Sequence, residues 1–279
     1  MLVKTKDKLC KELNKIRVKG ETVGLVPTMG ALHQGHLSLV KRAVADNKIV
    51  VVSIFVNPTQ FNDKSDLSRY PRNLNADLKL LEDSGCSIVF APDTNEIYPE
   101  PDTRTFDFGD LDKVMEGKHR KGHFNGVAQI VSILFELIKP DRAYFGLKDF
   151  QQLVIIKKLV KMLNLQTEIV PCPIIREPDG LAMSSRNELL SDEERKNAPF
   201  IYEILQEANN QTGKKSVKEL INWVINKINS NTYLTVDYFE IVNDKNLQPV
   251  TSWEDDCKKV ACIAVFCGKI RLIDNYFLN

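Results

Sequence analysis

Residues 48–56 read KIVVVSIFV, a nearly unbroken run of apolar, mostly β-branched side chains. Alternation with polar residues is missing. Such a run suits a strand buried on both faces, the situation of a parallel sheet covered by helices. A second short run, TVGLV at 22–26, precedes it, and between the two the residues from His36 onward carry apolar side chains at helical spacing. The order strand, helix, strand repeats: NLNADLKLLEDSG (73–85) reads as a helix with a glycine stop and CSIVFAP (86–92) as a third strand. Further on come a helix at 127–138, a strand at 142–146, a helix from Asp149 to about Leu163 and a strand at 166–170. This beat predicts an α/β fold with a doubly wound, Rossmann-like parallel sheet. Beyond about residue 175 the pattern changes to two amphipathic helices and antiparallel-looking strands, with a hairpin at Gly268-Lys269. The expected domains are therefore 1–175, binding nucleotide and substrate, and 176–279, a smaller α+β lid.

The junction between the first strand and its helix is PTMGALHQGH, residues 27–36. It holds two of the chain's four histidines. In a parallel sheet this turn lies at the carboxyl end of the strand, where ligands bind, and the new helix directs free N–H groups outward. An anion is the expected guest. With the helix beginning near Gln34, His33 and His36 can face that guest together and stabilise charge that develops during group transfer.

Three more polar loops compete for the same crevice: 57–60, 145–152 and 183–187. Lys148 could hold phosphate, and Asp149 a ribose hydroxyl or a metal. Met183, Ser184, Ser185 and Arg186 offer two hydroxyls, N–H groups and a guanidinium, a phosphate clamp. Ordinary readings compete: a Lys-Asp pair often starts a solvated helix, and Ser-Ser-Arg-Asn can be a plain N-cap. No GxxxxGK[ST] and no GxGxxG occurs, which removes support from P-loop NTPases and dinucleotide oxidoreductases.

Composition narrows the class. With 38 Lys and Arg against 37 Asp and Glu in 279 residues, the formal charge is +1, so binding to nucleic acid or anionic membrane is not favoured. No stretch reaches the length of about 18 apolar residues that a membrane helix needs. Six dispersed cysteines without a CxxC pair fit a reducing cytoplasm, with Cys86, Cys262 and Cys267 expected in the core.

Six ordered motifs carry a resemblance: PTMGALHQGH (27–36), FVNPTQF (55–61), YPR (70–72), GHFNGV (122–127), FGLKDFQQ (145–152) and DGLAMSSRN (179–187). Together they resemble the pantoate–beta-alanine ligases of the HxGH nucleotidyltransferase superfamily. The resemblance implies a reaction in two steps. Pantoate is activated by ATP to pantoyl adenylate with release of pyrophosphate, and beta-alanine then displaces AMP to give pantothenate. It implies that ATP lies among Met29, Gly30, Ala31, Leu32, His33, Gln34, Gly35 and His36, with His36 as proton donor. Gly146, Leu147, Lys148 and Asp149 would hold ribose and phosphate, Ile175 the adenine, and Met183, Ser184, Ser185 and Arg186 the triphosphate. Gln60 and Gln152 would bind pantoate, Gln60 also facing beta-alanine, with Asn57 and Arg120 as further site residues. The same resemblance implies Mg²⁺ with the nucleotide and a homodimer formed through the first domain.

Two departures stand out: Leu147 where the family has Glu, and Lys121 where it has Pro, which removes a fixed φ from that loop. His119 is expected at the surface and His123 as a structural hydrogen bonder. Two other readings are a metal-dependent hydrolase liganded by His33, His36, His119 and His123, and a non-catalytic nucleotide-binding regulator.

Overall fold

The computed structural model describes residues 1–62 and 67–279 in full and 64–66 as backbone. In chain order the elements are β1 (Leu2–Val3), α1 (Lys6–Arg17), β2 (Val23–Thr28), α2 (Gln34–Asp46), β3 (Ile49–Ile54), α3 (Lys64–Arg69), α4 (Leu74–Glu82), β4 (Ile88–Phe90) and α5 (Thr94–Ile97). They continue with α6 (Met115–His119), α7 (His123–Ile138), β5 (Arg142–Gly146), α8 (Phe150–Met162) and β6 (Glu168–Cys172). The last third holds α9 (Asp192–Asn197), α10 (Phe200–Gln211), α11 (Val217–Asn229), β7 (Leu234–Asn243), β8 (Lys259–Cys267) and β9 (Ile270–Leu278).

Six strands form a parallel sheet in the order β1-β4-β3-β2-β5-β6. The unbroken apolar run sits where its composition demands: Val50, Val51 and Val52 are at most 1% exposed on β3, between β2 and β4. The chain runs outward from β2 to β3 and β4, then returns to the other side of β2 with β5 and β6. The strand order thus reverses between β2 and β5, and in such sheets the crevice at that reversal binds the ligand. Pro171 lies in β6, an edge strand, where its missing N–H costs no ladder bond.

The helix expected from 127 begins four residues earlier, at His123, after Gly122 with φ +80°. Its interior Gly126 has a long-range cause. A Cβ there would lie 2.3 Å from the Thr59 carbonyl oxygen, so only glycine allows this approach.

The chain divides into two compact units. The first is Met1–Phe108, Arg120–Leu147 and Ile155–Pro173, and it contains the parallel sheet. The second is Gly109–His119, Lys148–Val154 and Ile174–Asn279, built on the antiparallel sheet β7-β8-β9. In the hairpin between β8 and β9, Gly268 has φ +58° while Lys269 is not left-handed, the pattern of a type II′ turn. Within this unit Arg271 of β9 donates to both oxygens of Glu116, at 2.8 and 2.9 Å, and to Asp237 at 2.9 Å. Tyr238 adds a bond to Glu116 at 3.0 Å. These bonds attach the segment 109–119 to strands more than a hundred residues away. Cys262 and Cys267 are buried as expected, whereas Cys86 is only half-buried.

Candidate active site

In the first unit the turn after β2 is bent by two consecutive left-handed residues, Gly30 at φ +81° and Ala31 at φ +49°. The bend turns two successive N–H groups toward one carboxylate: Ala31 N donates to Asp77 Oδ2 at 3.2 Å and Leu32 N to Asp77 Oδ1 at 2.7 Å. Asp77 is 2% exposed. Burial pushes its carboxyl up from the ordinary range, while the two N–H bonds favour the anion and oppose that rise. Asp77 escaped the sequence reading although a signal was present. Leu74, Asp77, Leu78 and Leu81 form one stripe at helical spacing, and a lone acid on such a stripe needs a partner in the interior.

Helix α2 begins at Gln34 with His33 as its N-cap. His33 Nδ1 accepts from Gly35 N at 3.1 Å, and His36 Nδ1 accepts from His33 N at 3.3 Å. This is a capping box written in histidine. An imidazole nitrogen that accepts carries no proton, so each ring holds its proton on Nε2. The rings are close, with centroids 4.1 Å apart and planes tilted by 45°. The turn therefore differs from the expectation of free backbone donors. The N–H groups of Gly30, Ala31, Leu32, His33 and Gly35 already bond Thr28, Asp77, His36 and His33. Each ring thus spends Nδ1 on the cap and keeps its proton on Nε2.

The loop after β3 is equally constrained. Asn57 and Gln60 are 1% and 8% exposed. Asn57 Nδ2 donates to Gln60 Oε1 at 3.1 Å and to the Gly126 carbonyl at 2.9 Å. Gln60 Nε2 donates to Met29 Sδ at 3.1 Å, joining this loop to the histidine turn. His123 Nδ1 lies 2.8 Å from the Gln60 carbonyl oxygen, which can only accept, so this ring carries its proton on Nδ1. His123 thus has the structural role expected of it. Arg120 is half-buried, and its carbonyl accepts from His123 N at 3.0 Å. Gly146 ends β5, the strand beside β2, and Leu147 follows it.

The second unit carries the other expected contacts. Asn275 Nδ2 donates to the Lys148 carbonyl at 3.0 Å. Asp149 closes the short 3-10 turn 147–149, and Gln152 is half-buried on α8. Residues 175–183 form a small hairpin: Met183 N bonds Ile175 O at 3.0 Å, Glu177 N bonds Leu181 O at 2.8 Å, and Gly180 sits at φ +93°. Arg176 holds it to β9 by a bidentate pair with Asp274, at 2.6 and 3.0 Å, and lies 3.7 Å above the Tyr202 ring. Ser184 is an N-cap, its Oγ accepting from Arg186 N at 3.2 Å, so the ordinary reading of that serine holds. A capping oxygen still has its own proton to donate. Adjacent residues of β9, Asp274 and Asn275, thus anchor both the hairpin that leads to Ser184–Arg186 and the Lys148 turn.

Among the described residues no group of three or more His, Cys, Asp or Glu side chains could hold a metal ion. The hydrolase reading finds no such group to rest on. His33 and His36 spend Nδ1 on backbone, His123 faces a carbonyl, and His119 faces Asp237 at 3.2 Å.

The family model described as Pantoate-beta-alanine ligase matches residues 1–277. The chain belongs to the pantoate–beta-alanine ligase family. A pantothenate synthetase of Bacteroides thetaiotaomicron is 56% identical over 264 residues, covering 95% of this chain and 94% of that protein. One from Phocaeicola vulgatus is 57% identical over 275 residues, with 98% of each chain covered. Among solved structures, pantothenate synthetase from Thermus thermophilus matches with a TM-score of 0.91 at 42% identity, covering 99% of this chain and 98% of that one. The ligase from Francisella tularensis, solved with beta-gamma ATP and beta-alanine, matches with a TM-score of 0.84 at 36% identity over 99% and 97% of the two chains. The chain is thus a ligase of pantothenate biosynthesis, and the regulator reading has no support.

Within this ligase the geometry assigns Asp77 a task. Asp77→Ala removes both acceptors that fix the turn ahead of His33, and misplacing reacting groups by about 1 Å can cost about 10²-fold in rate. Asp77→Ala is expected to slow pyrophosphate formation by roughly that factor. Asp77→Asn keeps an oxygen for Leu32 and should lose only about tenfold. Rapid-quench measurement of pyrophosphate checks this, and an unchanged rate in the alanine variant would show that the turn holds its shape without Asp77.

Proposed function

We propose that this ligase activates pantoate by in-line attack of its carboxylate on the α-phosphorus of ATP. The P–O bond to pyrophosphate breaks as the acyl–phosphate bond forms. The amine of beta-alanine then attacks the acyl carbon, AMP leaves with its new oxygen, and the amine loses a proton to give the amide of pantothenate. One observation supports the residue assignment: the histidine capping box, which fixes both rings with the proton on Nε2 in a turn tied to Asp77.

Two anions must approach each other in the first step, so the demand is for fixed positive charge and donors. His33 and His36 supply donors to the phosphates, and His36 gives a proton as pyrophosphate departs. Lys148 and Arg186 supply charge, with the hydroxyls of Ser184 and Ser185 on the triphosphate. Adenine lies at Ile175 and the ribose along Gly146, Leu147 and Asp149. Gln60 and Gln152 hold pantoate with neutral amides, which orient a carboxylate without the strong attraction of a guanidinium. Asn57 and Arg120 are further contacts for pantoate, and Gln60 also meets beta-alanine.

The donor set suits Mg²⁺ that arrives on the nucleotide. Mg²⁺ is commonly held by phosphates, waters and one or two carboxylates rather than by a protein cage, and Asp149 is the acid in the 146–149 segment. When bound it would neutralise phosphate oxygens. Residues 1–175 would carry pantoate and most of the nucleotide, and 176–279 would act as the lid. A homodimer in the cytoplasm belongs to the same reading, and the six free cysteines suit a reducing compartment.

Isotope transfer tests the chemistry. With ¹⁸O in the pantoate carboxylate, one labelled oxygen is expected in the AMP of each turnover and none in pyrophosphate. Label in inorganic phosphate would indicate an acyl phosphate and refute the adenylate.

A further inference from the structure

We infer that Tyr98 is a positioning residue that fixes which end of the Gln60 amide faces the carboxylate substrate. The inference rests on the assignment of Gln60 to pantoate. Its starting point is the Gly126 carbonyl of α7, which can only accept a hydrogen bond. Asn57 therefore has to turn its amino end toward it, at 2.9 Å, and its oxygen the other way. That oxygen accepts from the Tyr98 hydroxyl at 2.9 Å and from the Thr59 hydroxyl at 3.2 Å. Thr59 is an uncertain lock, because its single proton also has the Gly126 carbonyl within reach at 3.4 Å. Tyr98 also bonds the Thr59 hydroxyl, but burial pushes its phenol up from the ordinary range, so it keeps its proton and the Asn57 oxygen at 2.9 Å is the partner that can only accept.

The orientation passes to the next amide. The second N–H of Asn57 donates to Gln60 Oε1 at 3.1 Å. With its oxygen occupied, Gln60 shows its amino end, whose contact is the Met29 thioether, a weak acceptor that a carboxylate oxygen displaces readily. Flipping Gln60 would set two donors face to face. The chain carbonyl 126, Asn57, Gln60 thus selects a donor for an anionic substrate, and Tyr98 holds the middle member in place.

The test is a double-mutant cycle on the full chain, reading the KM of pantoate and of ATP together with the melting temperature. Tyr98→Phe keeps the ring and its packing on Phe55, whose centroid is 6.1 Å away, and removes only the donor. The pantoate KM is expected to rise about tenfold, the size expected for one orienting hydrogen bond, with the ATP KM within about twofold. In a Gln60→Ala background the same change should move the pantoate KM by less than about twofold, since no amide remains to orient. An equal rise in both backgrounds, or a lower melting temperature with an unchanged pantoate KM, would overturn the positioning role alone. An unchanged pantoate KM in Gln60→Ala itself would overturn the assignment of Gln60 and the inference with it.

Discussion

Replacing His36 with alanine is expected to slow adenylate formation by about 10²–10³-fold, the usual effect of removing one donor at a site where charge develops. The same change also removes a helix cap, because His36 Nδ1 accepts from His33 N. A lost cap costs about 1 kcal/mol, or a few degrees of melting temperature in a chain of this size. The two consequences separate in His36→Asn. Asparagine places an acceptor oxygen near the Nδ1 position and has nothing at the position of Nε2. Stability should therefore return while the rate stays low, as single-turnover kinetics and thermal melts would show. Recovery of the rate in His36→Asn would mean that capping, and not the Nε2–H donor, is what His36 contributes.

Asp274→Leu should be the most destabilising change in the second unit. The Asp274 side chain is 5% exposed and that of Arg176 is 17% exposed, so the change leaves a guanidinium largely buried without its carboxylate. Breaking such a pair from one side costs about 3–5 kcal/mol. At about 2–4 °C per kcal/mol for a chain of this size, the melting temperature should fall by roughly 10 °C. The hairpin 175–183 loses its anchor in the same stroke, so the ATP KM should rise as Ser184–Arg186 is released. Arg176→Met combined with Asp274→Leu removes both charges and should recover most of the lost stability. A melting temperature within about 2 °C of wild type for Asp274→Leu alone would show that the pair is not what holds the hairpin.

Much of the first unit was legible because local pattern and tertiary demand agree there. The apolar run at 48–56 could only be an interior strand, and the glycines and histidines of 27–36 marked a strand-to-helix turn, with His33 and His36 as the residues to watch. Helix α1 was harder to see, since Leu9 and Leu13 are its buried residues amid many charges. The two-residue β1 exists only by pairing with β4, far along the chain. The start of α7 was hidden because His-Phe-Asn-Gly has turn composition, and its glycine is explained by Thr59, some 67 residues away. The segment 109–119 precedes α7 yet belongs to the second unit, through bonds from Glu116 to Arg271 spanning 155 residues. At the site, residues could be chosen from sequence for the chemistry they could perform, but those that hold them were missed. Asp77, Tyr98, Asp274 and Asn275 act on atoms remote in sequence, and only Asp77 left a trace, as an acid on an apolar stripe.

In the proposed sequence of steps pantoate is activated before beta-alanine is needed. The decisive measurement is pyrophosphate release from MgATP and pantoate in the absence of beta-alanine, with enzyme at substrate-like concentration. A burst of one pyrophosphate per active site is expected, becoming continuous turnover with AMP and pantothenate when beta-alanine is added. No pyrophosphate before beta-alanine, followed by normal turnover once all three substrates are present, would contradict a separate adenylate step.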